Sequence, residues 1–201
     1  MRNVPKLRFK EFNGEWEERK LGEVSNIYDG THQTPNYVEK GIPFFSVENI
    51  TNNNFFNTKY VTEDAYIENN KKRKIEKNDI LMTRIGSIGE SKLIDWDIKA
   101  DFYVSLALIK LDKSNCSSYI NQFINSKFFQ KELDKRTLKV AFPQKINLSD
   151  IGECLVKLPC LEEQQKIADF LSTIDTKIEK ISDELENLKE FKKGLLQQMF
   201  V

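Results

Sequence analysis

The chain has 201 residues, 39% of them hydrophobic and 31% charged, and its 31 basic and 31 acidic side chains cancel. That length holds a sizeable core, or a core plus an appended element, and the apolar share is too high for a disordered chain. No stretch approaches the ~18 uncharged apolar residues that a membrane helix needs, and Met1-Arg2-Asn3-Val4-Pro5-Lys6 leads into no apolar signal run. Cys116, Cys154 and Cys160 form no C-x-x-C pair and His32 is the single histidine. A disulfide framework, a cysteine zinc site, a multi-histidine metal site and a histidine-based triad are therefore all disfavoured, and the reducing cytoplasm is the expected compartment.

In chain order, Asp29-Gly30 and Asn52-Asn53-Asn54 mark turns, and Pro43–Val47, Ile80–Thr83 and Val104–Ile109 read as strands. A helix is expected over about Tyr119–Lys135, with Ile120, Phe123, Ile124 and Phe128 as its apolar stripe and Ser117 or Ser118 as its cap. A basic loop, Thr137–Ser149, precedes a last short strand over about Glu153–Leu158. Beyond Pro159 the pattern changes. Ile167, Leu171, Ile174, Ile178, Ile181, Leu185, Leu188, Lys192, Leu195 and Met199 follow at alternating spacings of four and three, an a/d heptad ladder interrupted only by Lys192. The period predicts a helix from Leu161 or Glu162 onward that supercoils with a partner helix. Glu162 and Glu163 suit the dipole at its start, and Lys192 and Lys193 lie towards its end. The expected class is α+β: a mixed α/β globule over residues 1–160, then a long C-terminal coiled-coil helix over 161–201.

Charge is unevenly spread. Residues 162–201 carry six basic and nine acidic side chains, a balance of −3, against +3 for residues 1–161. Lys71-Lys72-Arg73-Lys74-Ile75-Glu76-Lys77 holds five basic residues against one acid, and Lys127–Lys145 six against two. Two basic clusters on a neutral chain suit a surface facing a polyanion, although solvated faces have the same composition.

Several loops carry side chains suited to nucleic acid. In Arg84-Ile85-Gly86-Ser87-Ile88-Gly89-Glu90, two glycines three apart permit a tight turn and close backbone approach, and Arg84 offers a bidentate fork for phosphate or guanine. The strand-like flanks argue against the helix-flanked G-x-x-G loop of KH domains. Thr31-His32-Gln33-Thr34 and the segment with Asn49, Asn52 and Asn53 supply hydroxyls and amides that read base edges, and that are also ordinary turn residues. Lys139, Gln144 and Lys145 lie in the basic loop; Lys71, Lys72 and Arg73 supply phosphate attraction, and Ser87 sits in the glycine turn. Asp79 with Glu90-Ser91-Lys92 imitates the D…E-x-K pattern of Mg²⁺-dependent nucleases, a match that arises readily by chance in so charged a chain. No P-loop, nucleophile elbow, G-x-G-x-x-G or Asn/Asp-Pro-Pro-Tyr/Phe methyl-transfer motif occurs, so the chain does not read as a catalyst.

Four segments together resemble one half of a type I restriction–modification specificity (S) subunit. They are Pro5-Lys6-Leu7-Arg8-Phe9 with Trp16 and Lys20-Leu21-Gly22-Glu23-Val24; Gly41–Ile50; Asp79–Gly89, similar to the family's G-D-I-L-x-x-R-x-G-x-x-G with Asn78 in place of its first Gly; and Leu158–Ile178 continuing to Lys192–Phe200, with Cys160 where a second Pro is common. Lys139–Lys145 resembles the turn before the last strand of the family's domain. The resemblance implies a non-catalytic target recognition domain that reads half of a split double-stranded DNA site. It implies a helix that pairs in an antiparallel coiled coil. The implied partners are modification subunits, which bind S-adenosylmethionine and methylate adenine, and restriction subunits in the full complex; no cofactor binds the chain directly. With one recognition domain and one helix, the chain is read as a homodimer, either a natural half-subunit or a piece of a longer one. The rival readings are a coiled-coil protein-interaction module and an Mg²⁺-dependent nuclease.

Overall fold

A computed structural model describes residues 4–70 and 73–200. The N-terminal elements are β1 (Glu17–Lys20), α1 (Leu21–Val24), β2 (Ser25–Asp29), β3 (Ile42–Phe45), α2 (Val47–Thr51), β4 (Lys59–Val61) and α3 (Glu63–Asn69). After them come β5 (Ile80–Thr83), β6 (Ser91–Leu93), β7 (Asp101–Phe102) and β8 (Leu106–Leu111). The chain then runs through α4 (Ser117–Ile124), α5 (Lys127–Arg136), α6 (Leu148–Gly152), β9 (Leu155–Leu158) and α7 (Leu161–Met199).

The continuous apolar runs at Ile80–Met82 and Leu106–Ile109 form the middle of a four-stranded sheet ordered β2-β8-β5-β6. Because side chains alternate across a strand, a run that is apolar at every position must be covered on both faces. Ile80, Met82, Ala107 and Ile109 pack into a core with Leu21, Ile120, Phe129, Ile151 and Val156. Leu81, Leu106 and Leu108 pack the other way, into a core with Phe45, Ile75, Ile94 and Phe102. A second sheet, β4-β3-β7, pairs β3 parallel with β7, and β1 pairs antiparallel with β9 at the base of α7.

The long helix begins at Leu161, one of the two starts that Pro159 pointed to, and runs for 39 residues, about 58 Å at 1.5 Å per residue. Its first turns belong to the globule's core: Glu163, Gln164 and Ala168 are buried, and Ile167 packs against the first core. Glu163 accepts two hydrogen bonds of 2.7 Å from Arg8, which fastens the N-terminal segment to the helix. Gln164 accepts from the Cys116 N–H at 2.9 Å and donates to the Pro159 carbonyl at 3.0 Å. Lys192 and Lys193 lie more than a turn before Met199, beyond the reach of the terminal dipole.

Several local readings need correction, among them the strand expected over Val104–Ile109: Val104 and Ser105 form the turn before β8, which starts at Leu106. Val47 opens α2 rather than closing β3, because the Asn49 side chain accepts from the Ser46 N–H at 2.9 Å and turns the chain into a helical turn. The helix expected over Tyr119–Lys135 is two helices: Ser126 adopts extended dihedrals and its Oγ accepts from the Phe129 N–H at 3.2 Å, starting a new N-terminus. The break rephases the stripe so that Phe129 is buried and Phe128 is not. Cys116, not a serine, caps α4. The basic loop also contains α6. At Asn78 the backbone has φ of 73°, a left-handed position that favours Gly and that Asn tolerates best among the rest.

Candidate nucleic-acid interface

β2 and β5 both run antiparallel to β8, so both reach the same end of the sheet. There lie the segment after β2 (29–34), the glycine turn between β5 and β6 (84–90) and the turn leading into β8. Tyr103 joins the second sheet to this end: its N–H donates to the Phe45 carbonyl at 2.9 Å, and Thr31 pairs beside it. The Asn-rich segment after β3 therefore emerges nearby, and the Lys92 ammonium holds Asn53 Oδ1 at 2.8 Å. The basic loop completes the group. Its Lys145 bridges to Ile85, the Gly86 N–H donates to the Gln144 carbonyl at 2.8 Å, and the Ile146 N–H donates to the Arg84 carbonyl at 3.0 Å. Four polar loops, distant in sequence, share one end of the globule.

Asp29 is the hub beneath them. Its Oδ1 accepts from Arg84 Nη2 at 2.7 Å and from the Gly30 N–H at 2.9 Å, and its Oδ2 lies 2.7 Å from His32 Nε2. Arg84 also donates to the Ile146 carbonyl at 3.3 Å, so one guanidinium ties together the 29–34, 84–90 and 138–146 segments. Arg73 is a second tie: it donates to the carbonyls of Asn69 and Asp29, each at 2.9 Å, and to Thr31 Oγ1 at 2.7 Å. Thr31 in turn donates to the buried Asp101 at 3.2 Å. Burial pulls the Arg73 guanidinium below its ordinary pKa, opposed by the charges of Asp101 and Asp29. A cleft of about 410 Å³ opens between Tyr28–Gln33, Asn69 and Arg73.

The residues singled out for DNA contact thus divide. His32, Gln33, Thr34, Asn52, Asn53, Ser87, Lys139, Gln144 and Lys145 are exposed on this end. Thr31, Asn49, Arg73 and Arg84 are turned inward, because their polar atoms meet the backbone and side-chain groups that the loops would otherwise leave unpaired. Lys71 and Lys72 lie outside the described residues. Sequence reasoning missed Asp29 and Asp101 as the groups that fix these loops, and missed Val140 and Phe142, which the basic loop holds fully in solvent. Phe142 stands between Ala141 and Pro143, a context with no periodicity from which its exposure could be read.

The D…E-x-K residues do not converge. Asp79 precedes β5 and Glu90 precedes β6, and the antiparallel register sets them at opposite ends of the hairpin, four residue steps or about 13 Å apart. Asp79 is occupied by the Lys110 ammonium at 2.6 Å and the Glu76 N–H at 2.7 Å, while Glu90 accepts from Ser87. Burial raises the Asp79 pKa against the pull of Lys110. Among the described residues no cluster of three or more His, Cys, Asp or Glu side chains could hold a metal ion.

On α7 the ladder also divides. Ile167 and Leu171 are partly covered by the globule, whereas Ile174, Ile178, Ile181, Leu185, Leu188, Leu195 and Met199 are exposed, Ile181 to 65%. No described helix is long and apolar enough to cross a membrane.

Comparison with known proteins gives one answer. The chain is 29% identical to the MjaX type I restriction enzyme specificity subunit of Methanocaldococcus jannaschii, over 98% of this chain and 48% of that one. It is 23% identical to the HindI specificity subunit of Haemophilus influenzae, over 93% of this chain and 41% of that one. The chain therefore spans about half the length of the curated relatives it matches. The fold is similar to the crystal structure of the HsdS subunit from Thermoanaerobacter tengcongensis, with a TM-score of 0.63 and 18% identity, covering 90% of this chain and 41% of that one. It is also similar to the type I restriction–modification system S subunit from M. genitalium, with a TM-score of 0.62 and 20% identity, covering 92% and 46%. A family model for the type I restriction modification DNA specificity domain matches residues 13–190, nearly the whole globule and most of α7, and the chain belongs to that family.

Proposed function

We propose that this chain is a non-catalytic DNA sequence-specificity component that reads a short half-site and docks modification subunits. Those subunits use S-adenosylmethionine to methylate adenine, and restriction subunits complete the full complex. The convergence of four polar loops at one end of the sheets carries this reading. Exposed lysines there supply phosphate attraction, and exposed amides and hydroxyls can reach base edges. The separation of Asp79 from Glu90 weighs against the nuclease reading. Binding of randomised duplex DNA by the purified chain, titrated with salt, is the test. A log–log slope near −0.9 per neutralised phosphate and enrichment of one motif support it. A flat salt dependence with no motif would favour a protein-interaction module instead.

The exposed stripe of α7 supports a partner helix, since each such side chain gains about 1.5–3 kcal/mol when fully buried. With this chain alone in solution, a second copy supplies that helix in an isologous, antiparallel contact, and the DNA target is an interrupted palindrome. Light scattering should give twice the chain mass, and Ile181→Asp with Leu185→Asp should reduce it to one chain. A monomeric parent protein, or a methylated target with two unrelated halves, would refute the homodimer.

A further inference from the structure

We propose that the 138–145 hairpin is a DNA wedge, with the Phe142 ring stacking into a base step of the bound duplex. The inference rests on the DNA-reading function proposed above. Phe142 is 103% exposed and Val140 is 99% exposed, so neither contributes to the core. An apolar side chain held wholly in water on a mobile strand is unremarkable; this hairpin, however, is held in place. The Leu138 N–H donates to the Lys145 carbonyl at 2.8 Å, closing the turn, and the Gly86 N–H grips the Gln144 carbonyl at 2.8 Å from outside. The cost of ordering the tip is therefore met before a ligand arrives, which is how a recognition element is preorganised.

The charge around the tip selects the ligand class. Lys139 and Lys145 flank the two apolar residues. Lys139 pairs only with the exposed Asp134, a weak contact that a phosphate can displace, and Lys145 makes no ion pair among the described residues. A protein-docking patch would need a broad apolar area with few charges at its centre. Here two apolar side chains stand between two lysines, at the end of the globule that carries the other polar loops. Apolar wedges set among cations, which partly unstack a base step and bend the duplex, are a recurring device of DNA-binding proteins. Phe56 is also exposed, but it rises from asparagines, and the lysines about its segment are engaged: Lys59 lies over the Tyr37 ring and Lys92 holds Asn53 Oδ1. A ring stacked between bases carries little direct sequence information, so its selectivity would come from how readily a step unstacks, favouring pyrimidine–purine steps.

The experiment uses the full chain and a duplex that it selects from a randomised pool, carrying 2-aminopurine at successive positions. Binding should raise the fluorescence at one step. Phe142→Ala should abolish that signal and weaken binding about 5- to 150-fold, the range for loss of one base–aromatic stack, while leaving the salt slope unchanged because no phosphate contact is lost. Phe142→Trp should preserve both signal and affinity. The wedge is refuted if the parent chain binds its selected duplex with no fluorescence change at any position, even where Phe142→Ala weakens binding, since that outcome marks a groove contact. It is equally refuted if Phe142→Ala leaves DNA binding intact and impairs only association with modification subunits. Failure of the parent chain to select any motif, with flat salt dependence, would refute the DNA-reading function itself and is distinguishable from both.

Discussion

Replacing Arg84 by alanine separates a loop clamp from a base reader. The guanidinium is buried, with its Asp29 contact at 2.7 Å and its Ile146 carbonyl contact at 3.3 Å. Loss of the hydrogen bond to the carboxylate costs about 1.5–3 kcal/mol, and the longer contact to the neutral Ile146 carbonyl adds about 0.5–1 kcal/mol. Two features reduce the sum. Asp29 keeps the Gly30 N–H and His32 and is about a quarter exposed, so water can replace the lost donor. Arg84 Nε is buried without a hydrogen-bond partner among the described residues, so its removal recovers about 1 kcal/mol of desolvation. The net loss is about 1–3 kcal/mol, at or below the usual cost of about 3–5 kcal/mol for breaking a fully buried pair. Urea unfolding should show a lower midpoint at constant slope. Hydrogen exchange should quicken at the Gly86 and Ile146 amides, whose acceptors lie across the clamp. Arg84→Lys should retain part of the stability through one of the two contacts. A stability change under about 0.5 kcal/mol together with loss of site-specific binding would refute the clamp and return Arg84 to the role of reader.

Three further outcomes follow from the same geometry. Gly30→Ala places a Cβ 2.2 Å from the Tyr103 carbonyl oxygen, so the 29–34 segment must move off its neighbour; a melting temperature within a degree of the parent's would show that the close approach is not needed. The Glu132 carboxylate is held below its usual pKa by hydrogen bonds from Lys135 and then Arg136, so its contribution is present above the ordinary carboxylate pKa and is lost as pH falls through the lowered value. Glu132→Gln should therefore cost stability at pH 7 and much less near pH 3, as read by urea midpoints at both; an equal cost at both would refute the ion-pair account. Burial pushes the Cys154 thiol up to about 12 and Cys160 is exposed, so a maleimide at neutral pH should label Cys160 and spare Cys154, as peptide mass mapping would show.

The elements that were legible in the amino-acid sequence are those whose cause is local. The 3.5-residue ladder requires only contiguous residues, and it located α7, while Pro159 placed its start at Leu161 or Glu162, where Leu161 opens the helix. The uninterrupted apolar runs marked β5 and most of β8, and Gly86 and Gly89 marked a turn whose backbone does need positive φ at both positions. Family membership was legible for the same reason, since its motifs are short strings. The direction in which a loop side chain points was not. Arg84 and Asn49 have the composition of base readers, yet each is consumed by a partner within the fold. For Arg84 the partners lie 55 and 62 residues away along the chain, at Asp29 and Ile146. The short strands β1 and β2 lacked a pattern of their own and exist because β9 and β8 pair with them from far along the chain. Phe142, flanked by Ala141 and Pro143, gave no hint of whether it would fold inward; the pairing of Leu138 with Lys145 and of the hairpin with Ile85 sets the loop that carries it into solvent. Periodicity reports what a segment must do with its own neighbours, whereas the composition of the loop-bearing end was settled by contacts made only after distant segments met, when each polar group had to find a partner or remain in water.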